Sequence, residues 1–171
     1  MKNMLVMIGL VLALIAGCAQ EKAEIVDIRH FPLDNTQNLI MASIAEVDTI
    51  NSIDGGGAVK FMVEDSTTVK LFELNDVDVE ETQLVYQAKL KSENLDGNAY
   101  LEMLCHFPGK GEYFSRNINM PINGSTDWSS YETPFYLKKG ENPDIVKLNL
   151  VIDGNGTVWI DDVHLKSVPV E

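Results

Sequence analysis

A carboxylate carried toward the core has the strongest claim to chemistry in this chain. In the run Val158-Trp159-Ile160-Asp161-Asp162-Val163-His164-Leu165, strand alternation places Trp159, Asp161, Val163 and Leu165 on one face. Val158, Ile160, Asp162 and His164 fall on the other. Val163 and Leu165 belong inside, so Asp161 goes inward with them. A buried carboxylate is costly unless it is paired, hydrogen-bonded or bound to a metal. Asp161 therefore either accepts backbone N–H bonds at a strand crossing or helps to hold a cation. Asp161 and Asp162 point to opposite faces, so they cannot flank one glycosidic bond as a catalytic pair.

The other reactive residue types offer less. His30, His106 and His164 stand singly, without metal-ligand spacing along the chain. Cys105 ends the apolar run Tyr100-Leu101-Glu102-Met103-Leu104-Cys105 and reads as a buried, inert thiol, because a reactive thiolate needs an electropositive, partly exposed site. His106 follows it on the opposite strand face, badly placed to activate it. There is no Gly-x-Ser-x-Gly elbow, no His-Glu-x-x-His and no glycine-rich phosphate loop. Asp153-Gly154-Asn155-Gly156-Thr157 lacks the later acidic positions of a calcium loop and is expected to close a hairpin. No catalytic residue is assigned, and the chain is expected not to be an enzyme.

These side chains must be positioned by strands. Ala58–Val63, Thr68–Leu74 and Leu84–Leu90 alternate or are rich in branched and aromatic residues. Leu101, Met103, Cys105 and Phe107 share one face of the next run, opposed by Tyr100, Glu102, Leu104 and His106. Ile145–Ile152 turns Val146, Leu148, Leu150 and Ile152 inward and Lys147 and Asn149 outward. Glycine-containing turn signals separate the runs, as at Asp96-Gly97-Asn98 and Lys139-Gly140. Eight or nine strands at this spacing make an all-β fold, an antiparallel β-sandwich or barrel. Only Asn38–Val47 carries helical spacing. A net charge of −13 argues against a nucleic-acid partner and against direct adhesion to anionic lipid headgroups, since both recruit basic patches.

The C-terminal third carries a specific likeness. Gly124-Ser125-Thr126-Asp127-Trp128 precedes the strand Tyr131–Leu137, and the chain then runs through Val146–Leu150 to Gly156-Thr157-Val158-Trp159-Ile160-Asp161-Asp162-Val163-His164-Leu165. This resembles the galactose-binding-like jelly roll, in particular the carbohydrate-binding modules attached to glycan-degrading enzymes. The resemblance is clearest from Gly124 to Leu165, and it implies a β-sandwich of jelly-roll type. It also implies a structural calcium, held by Asp161 with Asp27 or Glu24 from the first strand. It places a glycan across a sheet face or at a rim loop. The outward positions of the clearest strands are then the candidate ligand contacts: Gln87, Lys89, Tyr100, Glu102, His106 and Asn149. An aromatic plane with amide and carboxylate groups is the mixture that sugars require. Tyr113 and Phe114, expected in a loop after Pro108-Gly109, are a second candidate surface.

The N-terminus reads as an address. Lys2 precedes an apolar run from Met4 to Ala16, shorter than the roughly 20 residues a spanning helix needs and matching a signal-peptide core. Leu14-Ile15-Ala16-Gly17-Cys18 resembles the bacterial lipobox, whose cysteine is lipidated and becomes the new N-terminus. The resemblance implies a leader over residues 1–17, a lipidated tether over 18–23 and one domain over 24–171. It also implies a cell-membrane or outer-membrane anchor; Ala19, rather than an aspartate after Cys18, resembles the outer-membrane sorting signal of a Gram-negative host. Two functions follow as expectations: a glycan-binding lipoprotein of the cell envelope, or a module that docks another envelope protein.

Overall fold

The structure, a computed structural model, describes residues 24–170. The lipobox, Cys18 and the tether lie outside the described residues. Eight strands account for most of the chain: β1 (Val26–Phe31), β2 (Glu46–Asp48), β3 (Ala58–Val63), β4 (Thr67–Asn75), β5 (Thr82–Phe107), β6 (Gly111–Arg116), β7 (Ile122–Leu137) and β8 (Ile145–Pro169). Every pairing between them is antiparallel. Among the described residues no helix is long and apolar enough to cross a membrane.

Two long strands organise the sandwich. β5 and β8 pair along almost their whole length, and both bend midway, so each contributes to both layers. In the first layer, the front of β5 lies between β7 and the back of β8, and β8 is flanked by β1 and β3. In the second layer, the back of β5 lies between β6 and the front of β8, with β4 at the far edge. β2 extends the first layer beside β3.

Alternation fills the core from both layers. Leu84, Tyr86, Ala88 and Leu90 of β5 point inward before the bend, and Ala99, Leu101, Met103 and Cys105 after it. Val146, Leu148, Leu150 and Ile152 face them from β8, joined by Val163 and Leu165. Full burial of each valine, leucine, isoleucine or methionine among them is worth about 1.5–3 kcal/mol. Cys105 is fully buried, and its thiol is pushed up to about 12 by loss of solvent and, secondarily, by the Glu112 charge. It is an inert core residue.

Three local expectations are corrected. Asp153–Gly156 does not reverse the chain; it is the bend of a continuous β8, lying against the Asp96–Asn98 bend of β5. The glycines there satisfy a close approach of two strands rather than a hairpin turn. The helix expected over Asn38–Val47 is reduced to a 3-10 turn at Ala42–Ile44, followed by β2. Asn38 takes a positive φ of 69°, and the Ile40 and Met41 amides donate to Leu71 and Lys70 carbonyls on the β4 edge, leaving no helical ladder. Finally, the register between β5 and β8 slips at Asp161–Asp162, with Asp162 at φ 50°. This bulge resets the alternation, so Val158 and Ile160 share the core with Val163 and Leu165.

Candidate functional site

The outer face of the second layer gathers most of the residues expected to contact a ligand. Tyr100, Glu102, Leu104 and His106 project from β5, Lys147 and Asn149 from β8, and Glu112, Phe114 and Arg116 from β6. Register aligns them in rows: Glu102 lies between Arg116 and Asn149, and Leu104 lies between Phe114 and Lys147. A groove of about 230 Å³ opens on this face, lined by Ile40, Lys70, Phe72, Glu73, Leu104, Glu112, Lys147 and Asn149.

The charged groups here are paired, which fixes their directions. Glu102 is buried; its Oε2 accepts from Arg116 Nε and its Oε1 accepts from Asn149 Nδ2 at 2.8 Å. Both oxygens are used, so Glu102 and Asn149 form a floor that orients Arg116 rather than free contact groups. Lys147 Nζ lies 2.5 Å from Glu112 Oε2, which raises the lysine pKa above its ordinary value. His106 Nδ1 lies 2.6 Å from Asp144 Oδ1 at the end of the same face.

Phe114 is the exposed aromatic of this surface. Its ring is 60% exposed, and the Arg116 guanidinium carbon sits 4.4 Å from the ring centroid. That contact holds the ring in place at modest cost in exposed area. Tyr113 and Phe114, expected together in a loop, both lie on β6. As consecutive strand residues they diverge. Phe114 joins the outer face, whereas Tyr113 pairs with Cys105 and sets its ring edge-on to Phe107, at 5.9 Å, in an aromatic corner with Phe135 and Tyr136.

Gln87 and Lys89 are not part of this site. They precede the β5 bend and look outward from the first layer, where Gln87 Oε1 accepts from Lys166 Nζ at 2.7 Å. A continuous strand that crosses between layers shows its outward residues on a different layer before and after the bend. A larger groove, about 600 Å³, runs between β6 and β7 and is lined by Gln87, Arg116, Asn117 and Glu132 among others. Tyr131 lines it as well, but it is partly buried and packed against the core, whereas Phe114 on the sheet face is exposed.

The carboxylates implied for calcium are dispersed. Asp161 is buried; its Oδ2 accepts from the Ile53 amide at 3.3 Å and its Oδ1 from the Asp162 amide at 2.8 Å. Loss of solvent nevertheless pushes its pKa up to about 6. Asp27 instead meets His164, and Glu24 is exposed. Trp159 is also outside the core cluster: its Nε1 donates to Asp48 Oδ2 at 2.8 Å, beneath the segment that follows β2. Asp48 is held well below the usual carboxylate range, first by the Asn51 amide and side chain and then by Trp159.

Among the described residues one potential metal-binding group converges, and linear spacing concealed it. His30, Asp162 and His164 bring ligand atoms within 4.8 Å of one another. His30 and His164 are partners across β1 and β8, and their rings stack at 4.1 Å with 7° between planes. The contacts of Asp162 with His164 and His30 outweigh the opposing effect of burial, which is the largest single influence, and lower its pKa. Only long-range pairing creates this cluster.

By sequence the chain matches no family profile and no curated protein. By structure it is similar to several solved carbohydrate-binding modules. One is described as "Family 16 Carbohydrate Binding Module-2", at TM-score 0.52 and 14% identity over 75% of this chain and 86% of that one. Another is the CBM22-1 xylan-binding domain of Paenibacillus barcinonensis Xyn10C, at TM-score 0.53 and 11% identity over 74% and 82%. A third contains the CBM22-1 and GH10 modules of Clostridium thermocellum Xyn10B, at TM-score 0.60 and 10% identity; it matches 82% of this chain but 28% of that longer one. The chain has the antiparallel β-sandwich fold of these jelly-roll modules.

Proposed function

We propose that this protein is a non-catalytic glycan-binding module, tethered to the cell envelope through a lipid on Cys18. The observation that carries the proposal is Phe114, an exposed ring braced by Arg116 beside the Lys147–Glu112 pair on the outer sheet face. Its plane suits the C–H face of a pyranose, and the neighbouring ammonium and carboxylate groups suit the hydroxyls. Tyr100 extends the surface along β5. Glu102 and Asn149 hold Arg116 and line the floor. The fold shared with solved carbohydrate-binding modules supports the same reading.

Affinity electrophoresis of the detergent-solubilised chain through soluble polysaccharides, with xylan as the first probe, tests it. Retardation by one polysaccharide that is lost in Phe114→Ala supports the reading; equal mobility in every gel overturns it. A second reading, docking of another envelope protein, is favoured by Ile118 and Met120, which stand 59% and 66% exposed between β6 and β7. Pull-down from solubilised envelope separates the two.

A further inference from the structure

We infer that the end of the sandwich where β1 begins docks on the surface of a lipid bilayer, with Ile25, Tyr113, Tyr136 and Val170 seated among uncharged headgroups, a docking that rests on the Cys18 tether proposed above. Strand register fixes which residues share that end. Val26 of β1 pairs with Ser167 of β8, Ser167 with Leu84 of β5, and Leu84 with Phe135 of β7. One row nearer the end, Gln83 lies between Val168 and Tyr136. Four adjacent strands span three gaps of about 4.8 Å, so the start of β1 and Tyr136 stand about 14 Å apart along one rim. Pro169 pairs with Thr82 in the last row, which brings Val170 to the same rim. The second layer reaches it too, because Phe107, Lys110 and Tyr113 line one pocket with Phe135, Tyr136 and Lys138.

The length of the tether selects the occupant. Residues 18–23 join the lipid to Glu24, and fully extended they reach at most about 20 Å. The rim that carries Glu24 is therefore held beside the headgroups. The bend at Asn94–Gly97 lies about 40 Å of strand farther along β5 from Thr82, twice that reach. A tethered surface also meets its partner at high effective concentration, so a patch too small to recruit a free domain is enough to orient an anchored one.

The rim has the chemistry of a membrane interface. Ile25 is 65% exposed, Tyr136 64%, Tyr113 51% and Val170 44%. A tyrosine ring suits the boundary between acyl chains and water because its body is apolar and its hydroxyl is not. Lys110 and Lys138 stand beside the two rings, with stems that can lie along apolar surface while the ammonium stays in water. Glu80 and Glu81, tied to the Lys138–Gly140 turn, and Glu141 beside them add negative charge, which disfavours anionic lipids and selects uncharged headgroups. Phe114 points away from Tyr113, on the outer face of β6, and stays free for a glycan.

The test uses the full chain reconstituted in phosphatidylethanolamine–phosphatidylcholine vesicles. Intact mass tests the tether by itself: a chain without lipid on Cys18 overturns the tether and the docking together. Lys139→Cys, on the rim, and Asp65→Cys, next to Ser66 and the Asp153 bend, each carry a fluorophore at an exposed site, and Cys105 is fully buried and stays unlabelled. A nitroxide on the lipid headgroup should quench the fluorophore at position 139 several-fold more than the one at 65. Adding Tyr136→Ser should lower quenching at 139 with the circular dichroism spectrum unchanged and the lipid retained. Equal, weak quenching at both positions of a lipidated chain overturns the docking and leaves the tether standing. A fluorophore at 139 that is shielded from iodide yet unquenched by the headgroup label shows that another copy or another protein covers the rim, and overturns it too.

Discussion

Gly97 and Gly154 are partners across β5 and β8 at the bend where both strands pass from one layer to the other. A Cβ on Gly97 would sit 2.1 Å from the Asp153 carbonyl oxygen, and one on Gly154 would sit 1.9 Å from that of Asp96. Both glycines have positive φ, 125° and 152°. The obstruction in each case is backbone, which cannot rotate aside as a side chain can. Gly97→Ala and Gly154→Ala should therefore each cost about 3 kcal/mol or more, or prevent recovery of folded protein. Gly109→Ala meets no neighbouring atom and bears only the strain of φ 72°, so it should cost about 1–2 kcal/mol. Urea unfolding of the three variants checks the ordering.

The floor of the sheet face gives a second prediction. Glu102→Ala leaves Arg116 and Asn149 without their acceptor in a site where the glutamate is almost fully covered. Arg116 is partly exposed and can be rehydrated, so the loss should be about 2 kcal/mol rather than the larger value of a wholly buried pair. Chemical denaturation measures it. Glu102→Gln keeps an acceptor and should recover about half of the loss.

Asp48 gives a prediction in pH. Its carboxylate accepts from Ile50, Asn51 and Trp159, and its folded pKa is depressed. A depressed carboxyl contributes stability that is present above the unfolded value, about 4, and lost as pH falls through the folded value. The Tm advantage of wild type over Asp48→Asn should be constant from pH 7 to 5 and shrink below pH 4. An advantage that grows on acidification contradicts this account.

Tyr86 is wholly buried, and among the described residues no group hydrogen-bonds its hydroxyl. Burial drives its pKa upward. Tyr86→Phe removes that polar atom while keeping the ring, so stability should be unchanged or rise by about 1 kcal/mol. Thermal unfolding reads the sign.

Local alternation made much of this architecture legible. The opposed faces of Tyr100–Phe107 and Ile145–Ile152 were readable because neither run contains a bulge, and they place Tyr100, Glu102, His106 and Asn149 on one surface. Gln87 and Lys89 group with them in sequence because a strand that bends through Asn94–Gly97 looks like two strands whose mutual orientation is free. The same glycine chemistry serves a reversal and a corner, so Asp153–Gly156 read as a hairpin. The Asp162 bulge has no strong signature, and it alone shifted the faces of Trp159 and Asp161. His30 and His164 meet only through the β1–β8 register, which no local pattern encodes.

Binding by paired surface variants tests the central claim most directly. Each variant is run against the polysaccharide that retards wild type, alongside its circular dichroism spectrum. Phe114→Ala and Tyr100→Ala, on the second-layer face, should abolish retention with spectra unchanged, while Gln87→Ala and Lys89→Ala, on the first layer, should leave it intact. Retention that survives the first pair and fails in the second would contradict the assignment of the ligand surface.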